Sequence, residues 1–111
     1  MKTLVDRAPR VEFDNPLPSS IDDQVMGRIQ NISLTGCKLN ARSWMKINGA
    51  LHRIHVSTEQ GELQLSGQIV RARMIPTDAG SIYELGIRFH PTGQSYRDFV
   101  MWMEQLTVYT D

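Results

Sequence analysis

Residues 25–39 read Val25-Met26-Gly27-Arg28-Ile29-Gln30-Asn31-Ile32-Ser33-Leu34-Thr35-Gly36-Cys37-Lys38-Leu39. On both sides of the hexapeptide 31–36, apolar and polar residues alternate with the period of two that is typical of half-buried strands. The hexapeptide itself contains an amide, hydroxyls and a glycine, which favour turns and offer hydrogen-bonding groups to a ligand. This stretch therefore predicts two strands joined by a polar turn that can contact a ligand.

Four further runs of the sequence also predict strands. They are residues 11–13, 51–57, 63–70 and 83–89. Between the first of these runs and the central pair, residues 14–20 are dense in turn formers and predict a loop. A second loop is predicted over residues 76–80. The alternation breaks at Ile69-Val70, which indicates a β-bulge or a strand that is buried on both faces.

The last part of the chain changes to a helical period. Apolar residues recur there every three or four positions, at Tyr96, Phe99, Val100, Met103 and Leu106. This pattern predicts one amphipathic helix over about residues 94–106. Together the elements predict an all-β dominated fold, a small six-stranded antiparallel β-barrel with a C-terminal α-helix. The predicted organisation is a flexible N-terminal arm, residues 1–10, followed by one domain, residues 11–111.

Composition limits the classes of function. The chain has 111 residues, enough for one domain, and its 12 Lys and Arg balance its 12 Asp and Glu. Zero formal charge argues against broad binding to nucleic acid or to an anionic membrane. One cysteine cannot form an internal disulfide, and no apolar run is long enough to cross a membrane. We therefore expect a cytoplasmic protein with no membrane insertion.

The motif residues resemble the PilZ domain, the bacterial receptor family for cyclic di-GMP, whose signature is RxxxR followed by [D/N]xSxxG. Asn31, Ser33 and Gly36 match the second half of that signature. Arg10 matches the second arginine of the first half, whereas Asp6 stands where the family has the first arginine. The resemblance continues through residues 65–71 and 83–89 to the closing helix, and it covers residues 6–106.

This resemblance implies a function and a site. The implied function is a cyclic di-GMP receptor or adaptor that changes its surface on binding, by folding the N-terminal arm over the ligand, and so regulates a protein partner. No other cofactor and no metal are implied. The residues that the resemblance places at the ligand are Arg7, Arg10, Asn31, Ser33, Gly36 and, less directly, Arg71.

An alternative of another class stays open because of Asp6. A carboxylate near a phosphate site is repulsive, so the chain could instead be a PilZ-like protein-interaction module that binds no nucleotide. Trp44 and Trp102 either pack at the rim of the barrel or form a docking patch for a partner or for a second copy of the chain, so a homodimer is also left open.

The sequence gives little support to the hypothesis that the protein is an enzyme. His52 and His55 are three apart in a predicted strand, so they point to opposite faces and are poorly placed to share a metal. Cys37 alternates with Leu39 on the apolar side of its strand, which favours packing over nucleophilic chemistry. We therefore predict a binding protein and not an enzyme.

Overall fold

The computed structural model describes residues 10–90 and 92–109, with side chains described as far as residue 106. Asp6 and Arg7 lie outside the described residues. The elements are β1 (Val11–Ile21), β2 (Val25–Ile32), β3 (Gly36–Ala41), β4 (His52–Thr58), β5 (Gly61–Thr77), β6 (Gly80–His90) and α1 (Gly93–Tyr109). The strands form a closed antiparallel barrel in the order β1-β2-β3-β6-β5-β4. The predicted six-stranded barrel with a C-terminal helix is confirmed.

Alternate residues of the strands fill the barrel. Leu39, Leu85 and Ile54 are fully buried, and each belongs to a strand whose intervening residues are more exposed. The outer face of the sheet is therefore free to carry polar and charged side chains, as the period of two predicts. Within the described residues, no helix has the length and apolar character that a membrane crossing requires.

The first strand is much longer than the sequence predicted. The loop predicted over residues 14–20 is wrong, because β1 continues through Pro16 and Pro18 to Ile21. A proline removes a backbone donor and is tolerated where one edge of a strand is unpaired. β1 pairs with β4 only from Ser19 to Ile21, so both prolines precede the segment that has neighbours on both sides. Its pairing with β2 shifts register between Glu12 and Leu17.

The hairpin of β5 and β6 also extends beyond its prediction. The loop predicted over residues 76–80 is reduced to a turn at Asp78-Ala79, since β5 ends at Thr77 and β6 begins at Gly80. Gly80 has a φ of 121°, a backbone conformation that glycine adopts without strain. Of the two alternatives predicted at Ile69-Val70, the structure has the bulge, because the register of β5 with β6 shifts between Ile69 and Arg71.

The helix buries a face close to the predicted one. Phe99 and Met103 lie in the core and Tyr96 packs against it, whereas Val100 is only half-buried. Trp102, which the helical stripe left out, is 8% exposed and stacks on Phe13 with ring centroids 6.4 Å apart. Of the two interpretations of Trp102, the structure supports packing against the barrel and not an exposed docking patch.

Trp44 is the more exposed of the two tryptophans. It is 55% exposed and meets Tyr83 edge-on, with ring centroids 5.9 Å apart. It lies in the irregular segment between β3 and β4, near one end of the barrel.

Tyr96 ties the helix to the hexapeptide turn, because its hydroxyl donates a hydrogen bond to the backbone carbonyl of Leu34 at 3.1 Å. Tyr96→Phe is expected to lower the free energy of unfolding by about 1 kcal/mol, the net worth of one neutral hydrogen bond. Urea unfolding measures this loss. Tyr83→Phe is the matched control, since no hydrogen bond of the Tyr83 hydroxyl is present within the described residues. An equal loss of stability in both variants would contradict a stabilising role of the Tyr96–Leu34 hydrogen bond.

The turn between β1 and β2 contains an ionisable contact. Asp22, at a φ of 54°, has its Oδ2 2.7 Å from His52 Nδ1, and its Oδ1 accepts the backbone N–H of Arg53 at 2.8 Å. Partial burial acts to raise the pKa of Asp22, but these hydrogen bonds and the charges of His52 and Arg53 outweigh it. The pKa of Asp22 is lowered from its usual value of 3.8.

A carboxyl whose pKa is lower in the folded state stabilises the protein above its unfolded pKa, and this contribution is lost as the pH falls through the folded pKa. Asp22→Asn is therefore expected to lower stability at pH 6 and to change it little below the folded pKa. Asparagine also tolerates a positive φ, so the turn itself is preserved. Urea midpoints at pH 6 and in strong acid test this, and the same loss at both pH values would contradict it.

Candidate functional site

A cleft of about 640 Å³ lies against the outer face of the barrel beside the hexapeptide turn. Residues of five strands and of the turn line it. They are Arg10, Glu12, Asn31, Thr35, Gly36, Cys37, Lys38, Val70, Arg71, Glu84, Gly86, Ile87 and Arg88. The cleft therefore brings together four residues that the sequence placed at a ligand, namely Arg10, Asn31, Gly36 and Arg71.

A bulge in β2 puts Asn31 into this cleft. Ile29 pairs with Leu39 but Asn31 pairs with Lys38, so Gln30 is an extra residue and the side-chain alternation changes phase there. Ile29 and Ile32 are both fully buried as a result, while Asn31 lies on the cleft side. A strand without the bulge would direct Asn31 and Ile29 to the same face.

Arg10 covers Asn31. The guanidinium of Arg10 donates a hydrogen bond to Asn31 Oδ1, and Asn31 is only 5% exposed. The amide oxygen is thus engaged by the arginine that precedes β1. Binding of a ligand to this amide requires the Arg10 guanidinium to move or to share its acceptor.

A second bulge, in β5, orients Arg71. Ile69 pairs with Ile87 and is buried, whereas Arg71 pairs with Gly86 and is exposed at the cleft. A Cβ on Gly86 would lie 3.2 Å from the Cβ of Arg71, so the glycine leaves room for the stem of this arginine. Val70, the extra residue of the bulge, is 43% exposed and also lines the cleft.

Ser33 is placed differently from the other motif residues. It is 1% exposed and is not among the residues that line the cleft. Its hydroxyl accepts the Thr35 backbone N–H at 3.2 Å and lies 3.1 Å from the Thr35 hydroxyl. Ser33 therefore shapes the turn from inside, and the exposed Thr35 lines the cleft.

Gly36 lines the cleft and also permits a close approach between two strands. It pairs with Arg88 on β6, and a Cβ at this position would lie 2.1 Å from the carbonyl oxygen of Ile87. Only a residue without a side chain fits there. The close approach seen in the structure is thus between β3 and β6.

Cations outnumber carboxylates around the cleft. The charged lining residues are Arg10, Lys38, Arg71, Arg88, Glu12 and Glu84. Glu84 is already countered, since Arg73 Nη2 lies 2.9 Å from its Oε1 and Lys38 Nζ lies 3.8 Å from its Oε2. The cleft consequently has an excess of positive charge in a chain whose formal charge is zero.

Several lining residues were not predicted as site residues, among them Lys38, Arg88 and Thr35, which can contact a ligand through polar side chains. Lys38 and Arg88 occupy polar positions of correctly predicted strands. Gly36 pairs with Arg88 and Lys38 with Gly86, so the pairing of β3 with β6 brings both cations to one wall of the cleft. Thr35 lies inside the motif at a variable position. Strand alternation marks such residues as outward-facing, but it does not tell which strands are neighbours.

Cys37 lines the cleft but is not poised as a nucleophile. Burial raises the pKa of the Cys37 thiol to about 12, so the thiol is protonated and unreactive at neutral pH. His52 contacts Asp22 and His55 contacts Glu62, so the two histidines do not share a site. Among the described residues, no three His, Cys, Asp or Glu side chains are grouped to hold a metal ion.

Known structures share this fold at low sequence identity. K. pneumonia MrkH in its apo state superposes with a TM-score of 0.73 and 17% identity, over 99% of this chain and 55% of that one. Escherichia coli YcgR in complex with c-di-GMP gives 0.69 and 16%, over 95% and 47%. The PilZ domain of YcgR with c-di-GMP gives 0.67 and 16%, over 95% and 93%. The chain thus spans about half the length of the first two proteins.

Sequence comparison identifies the family. No curated protein sequence matches the chain significantly. The sequence model of the PilZ domain, however, matches residues 5–104, which is nearly the whole chain. The chain therefore belongs to the PilZ domain family.

Proposed function

We propose that this chain is a receptor or adaptor that binds cyclic di-GMP in the cleft and thereby regulates a protein partner. The observation that carries the proposal is the group of cations around Asn31: Arg10, Lys38, Arg71 and Arg88 line one cleft. Guanidinium groups bind phosphate oxygens with two parallel hydrogen bonds, and the ligand has two phosphodiesters.

Asn31 supplies a candidate contact for a guanine. Its amide oxygen is an acceptor, and the Watson–Crick edge of guanine carries N–H donors. Because Arg10 donates to this acceptor, a guanine N–H that binds there takes the place of the Arg10 donor. The released guanidinium is then free to contact a phosphate or to stack on the base. Ser33 would act at the ligand through the turn, by holding Thr35 at the cleft.

Size and relatives support the same ligand. A volume of about 640 Å³ lies within the range of about 300–1,000 Å³ that is usual for small-molecule pockets. Two of the structures with this fold, both of E. coli YcgR, contain c-di-GMP. Because the sequence identity to these structures is low, their similarity supports the fold alone. The assignment of the ligand to this chain therefore depends on the residues of the cleft.

Isothermal titration calorimetry with cyclic di-GMP tests the proposal. Saturable binding is expected, and it should weaken with added salt because charge pairs form. Cyclic di-AMP carries the same phosphates without the guanine edges and should bind more weakly. The double variant Arg71→Glu/Arg88→Glu should lose binding, while the exposed helix residue Arg97 provides Arg97→Glu as a control. Equal binding of both dinucleotides, or no binding by the folded protein, would overturn the assignment.

The alternative of a protein-interaction module that binds no nucleotide follows from Asp6, which stands at the position of the family's first arginine. It predicts no heat with cyclic di-GMP and retained binding of a protein partner. The calorimetric titration therefore separates the two functions.

Asp6→Arg tests the departure from the motif directly. It removes a repulsive carboxylate and adds a guanidinium for the phosphates, so affinity for cyclic di-GMP is expected to rise by about tenfold or more. The salt dependence of binding should also steepen. If Asp6→Arg leaves affinity unchanged while Arg7→Ala abolishes it, Arg7 fills the role of the missing arginine. If neither change matters, residues 6 and 7 take no part in binding.

A further inference from the structure

A second groove, distinct from the cleft, crosses the outer face of β2 and β3 at the opposite end of these strands. Its volume is about 540 Å³. It is lined by Pro18, Met26, Gly27, Arg28, Gln30, Asn40, Ala41, Arg42 and Ile82. None of these residues lines the cleft, and none belongs to the PilZ signature. We refer to it below as the Arg28–Arg42 groove.

The charge of this groove is positive and uncompensated. Arg28 and Arg42 are both exposed, and neither has a carboxylate partner within residues 10–90 and 92–106. No acidic residue lines the groove. The cleft differs in this respect, because it contains Glu12 and Glu84. A ligand of the groove is therefore expected to carry negative charge.

Asn40, a lining residue of the groove, has a buried polar atom without a hydrogen-bond partner among the described residues. Asn40 Oδ1 is buried, and no hydrogen bond reaches it within the described part of the chain. Asn40 pairs with Arg28 across β2 and β3, so the unsatisfied acceptor lies beside one of the two cations. Leaving a buried acceptor unpaired costs about 1–3 kcal/mol. Because this oxygen is shielded from solvent, a donor in the groove reaches it only after the Asn40 side chain turns outward.

The remaining surface of the groove is apolar. Met26 is 58% exposed and lines the groove with Pro18 and Ile82. A flexible methionine adapts to apolar side chains of different shapes. A ligand that matches all three features needs carboxylates, an N–H donor and an apolar group, which an acidic peptide segment combines.

We propose that the Arg28–Arg42 groove docks an acidic, extended segment of a partner protein. Carboxylates of the segment pair with Arg28 and Arg42, and an apolar side chain packs on Met26. The Asn40 amide turns outward to accept a backbone N–H of the segment. A nucleotide fits less well, since no aromatic residue lines the groove to stack on a base. A second copy docking by two-fold symmetry fits less well too, because it would bring the arginines of one copy against those of the other.

Fluorescence anisotropy tests the docking site on the intact chain. The probe is a fluorescein-labelled oligoglutamate peptide with a central leucine, and the matched peptide has glutamine in place of glutamate. The charged peptide should bind and the glutamine peptide should not. Arg28→Glu/Arg42→Glu should weaken binding by about tenfold or more, and Met26→Ser by a smaller factor. Arg97→Glu should leave it unchanged.

Several outcomes would overturn the proposal. One is that the charged peptide does not bind, and another is that Arg28→Glu/Arg42→Glu binds it as tightly as the unmodified protein. A third is self-association in sedimentation that this variant abolishes, since a second copy of the chain would then be the occupant. Loss of cyclic di-GMP binding in the variant would assign the groove to the nucleotide site instead. If circular dichroism shows that the double glutamate variant is unfolded, Arg28→Gln/Arg42→Gln replaces it. The peptide result does not depend on whether the cleft binds cyclic di-GMP.

Discussion

Arg10→Ala is expected to weaken the binding of cyclic di-GMP by about 10- to 150-fold. Arg10 is the cation nearest to the amide of Asn31, and it is exposed at the mouth of the cleft. Removing it takes away a charge-assisted contact worth about 1.5–3 kcal/mol, which corresponds to this change in affinity. The loss exceeds that for any other single cleft residue, because Arg10 can act on both the phosphate and the guanine. Calorimetric titration of the two proteins measures the ratio of affinities.

Stability separates a binding role of Arg10 from a structural one. Its hydrogen bond to Asn31 is the contact that links it to the barrel, so Arg10→Ala should lower the free energy of unfolding by no more than about 1 kcal/mol. Arg10→Lys keeps the charge without the planar fork and should recover only part of the affinity. Unchanged affinity in Arg10→Ala would show that the motif arginine does not contact the ligand.

Strand alternation and helical periodicity were sufficient to predict the fold. Leu39 and Leu85 belong to apolar residues that recur every second position, as in a strand, and Phe99 belongs to apolar residues that recur every third or fourth position, as in a helix. Each of the three is fully buried. The prediction of a loop failed where turn-forming residues were incorporated into a strand. Residues 14–20 contain turn formers, but they are extended as part of β1, in which Leu17 to Ser20 pair with β2.

The sequence predicted several of the residues of the candidate site but not how they are arranged in space. Motif spacing identified Asn31 and Arg10, which are in contact. The phase change at Gln30 that brings Asn31 to the outer face depends on the pairing of β2 with β3, which is a long-range property. The placement of Lys38 and Arg88 on one wall depends likewise on the register of β3 with β6. A single sequence shows the alternation of apolar and polar residues within each strand, but it does not show the register in which the strands pair.

Gly36→Ala is expected to lower the free energy of unfolding by about 3 kcal/mol or more. The new Cβ would lie 2.1 Å from the carbonyl oxygen of Ile87, and both atoms belong to backbones that cannot rotate apart. The strands β3 and β6 must therefore separate locally, which disturbs the adjacent hydrogen bond from the Phe89 N–H to the Thr35 carbonyl. Overpacking in a well-packed region typically costs about 1–3 kcal/mol, and a clash with backbone lies at or above the top of this range. Urea unfolding measures the loss.

Gly86→Ala is the matched control, since it makes the same change on a strand that pairs with β3. Its Cβ would lie 3.2 Å from the Cβ of Arg71, so a shift of a few tenths of an ångström relieves the contact and a loss of about 1 kcal/mol or less is expected. Equal stability of the two variants would contradict the role of Gly36 in strand approach. If Gly36→Ala instead keeps its stability and loses cyclic di-GMP, the glycine is required because the ligand approaches its backbone. A loss of both would follow from the separation of β3 and β6, because the same strand pair positions Lys38 and Arg88 at the cleft.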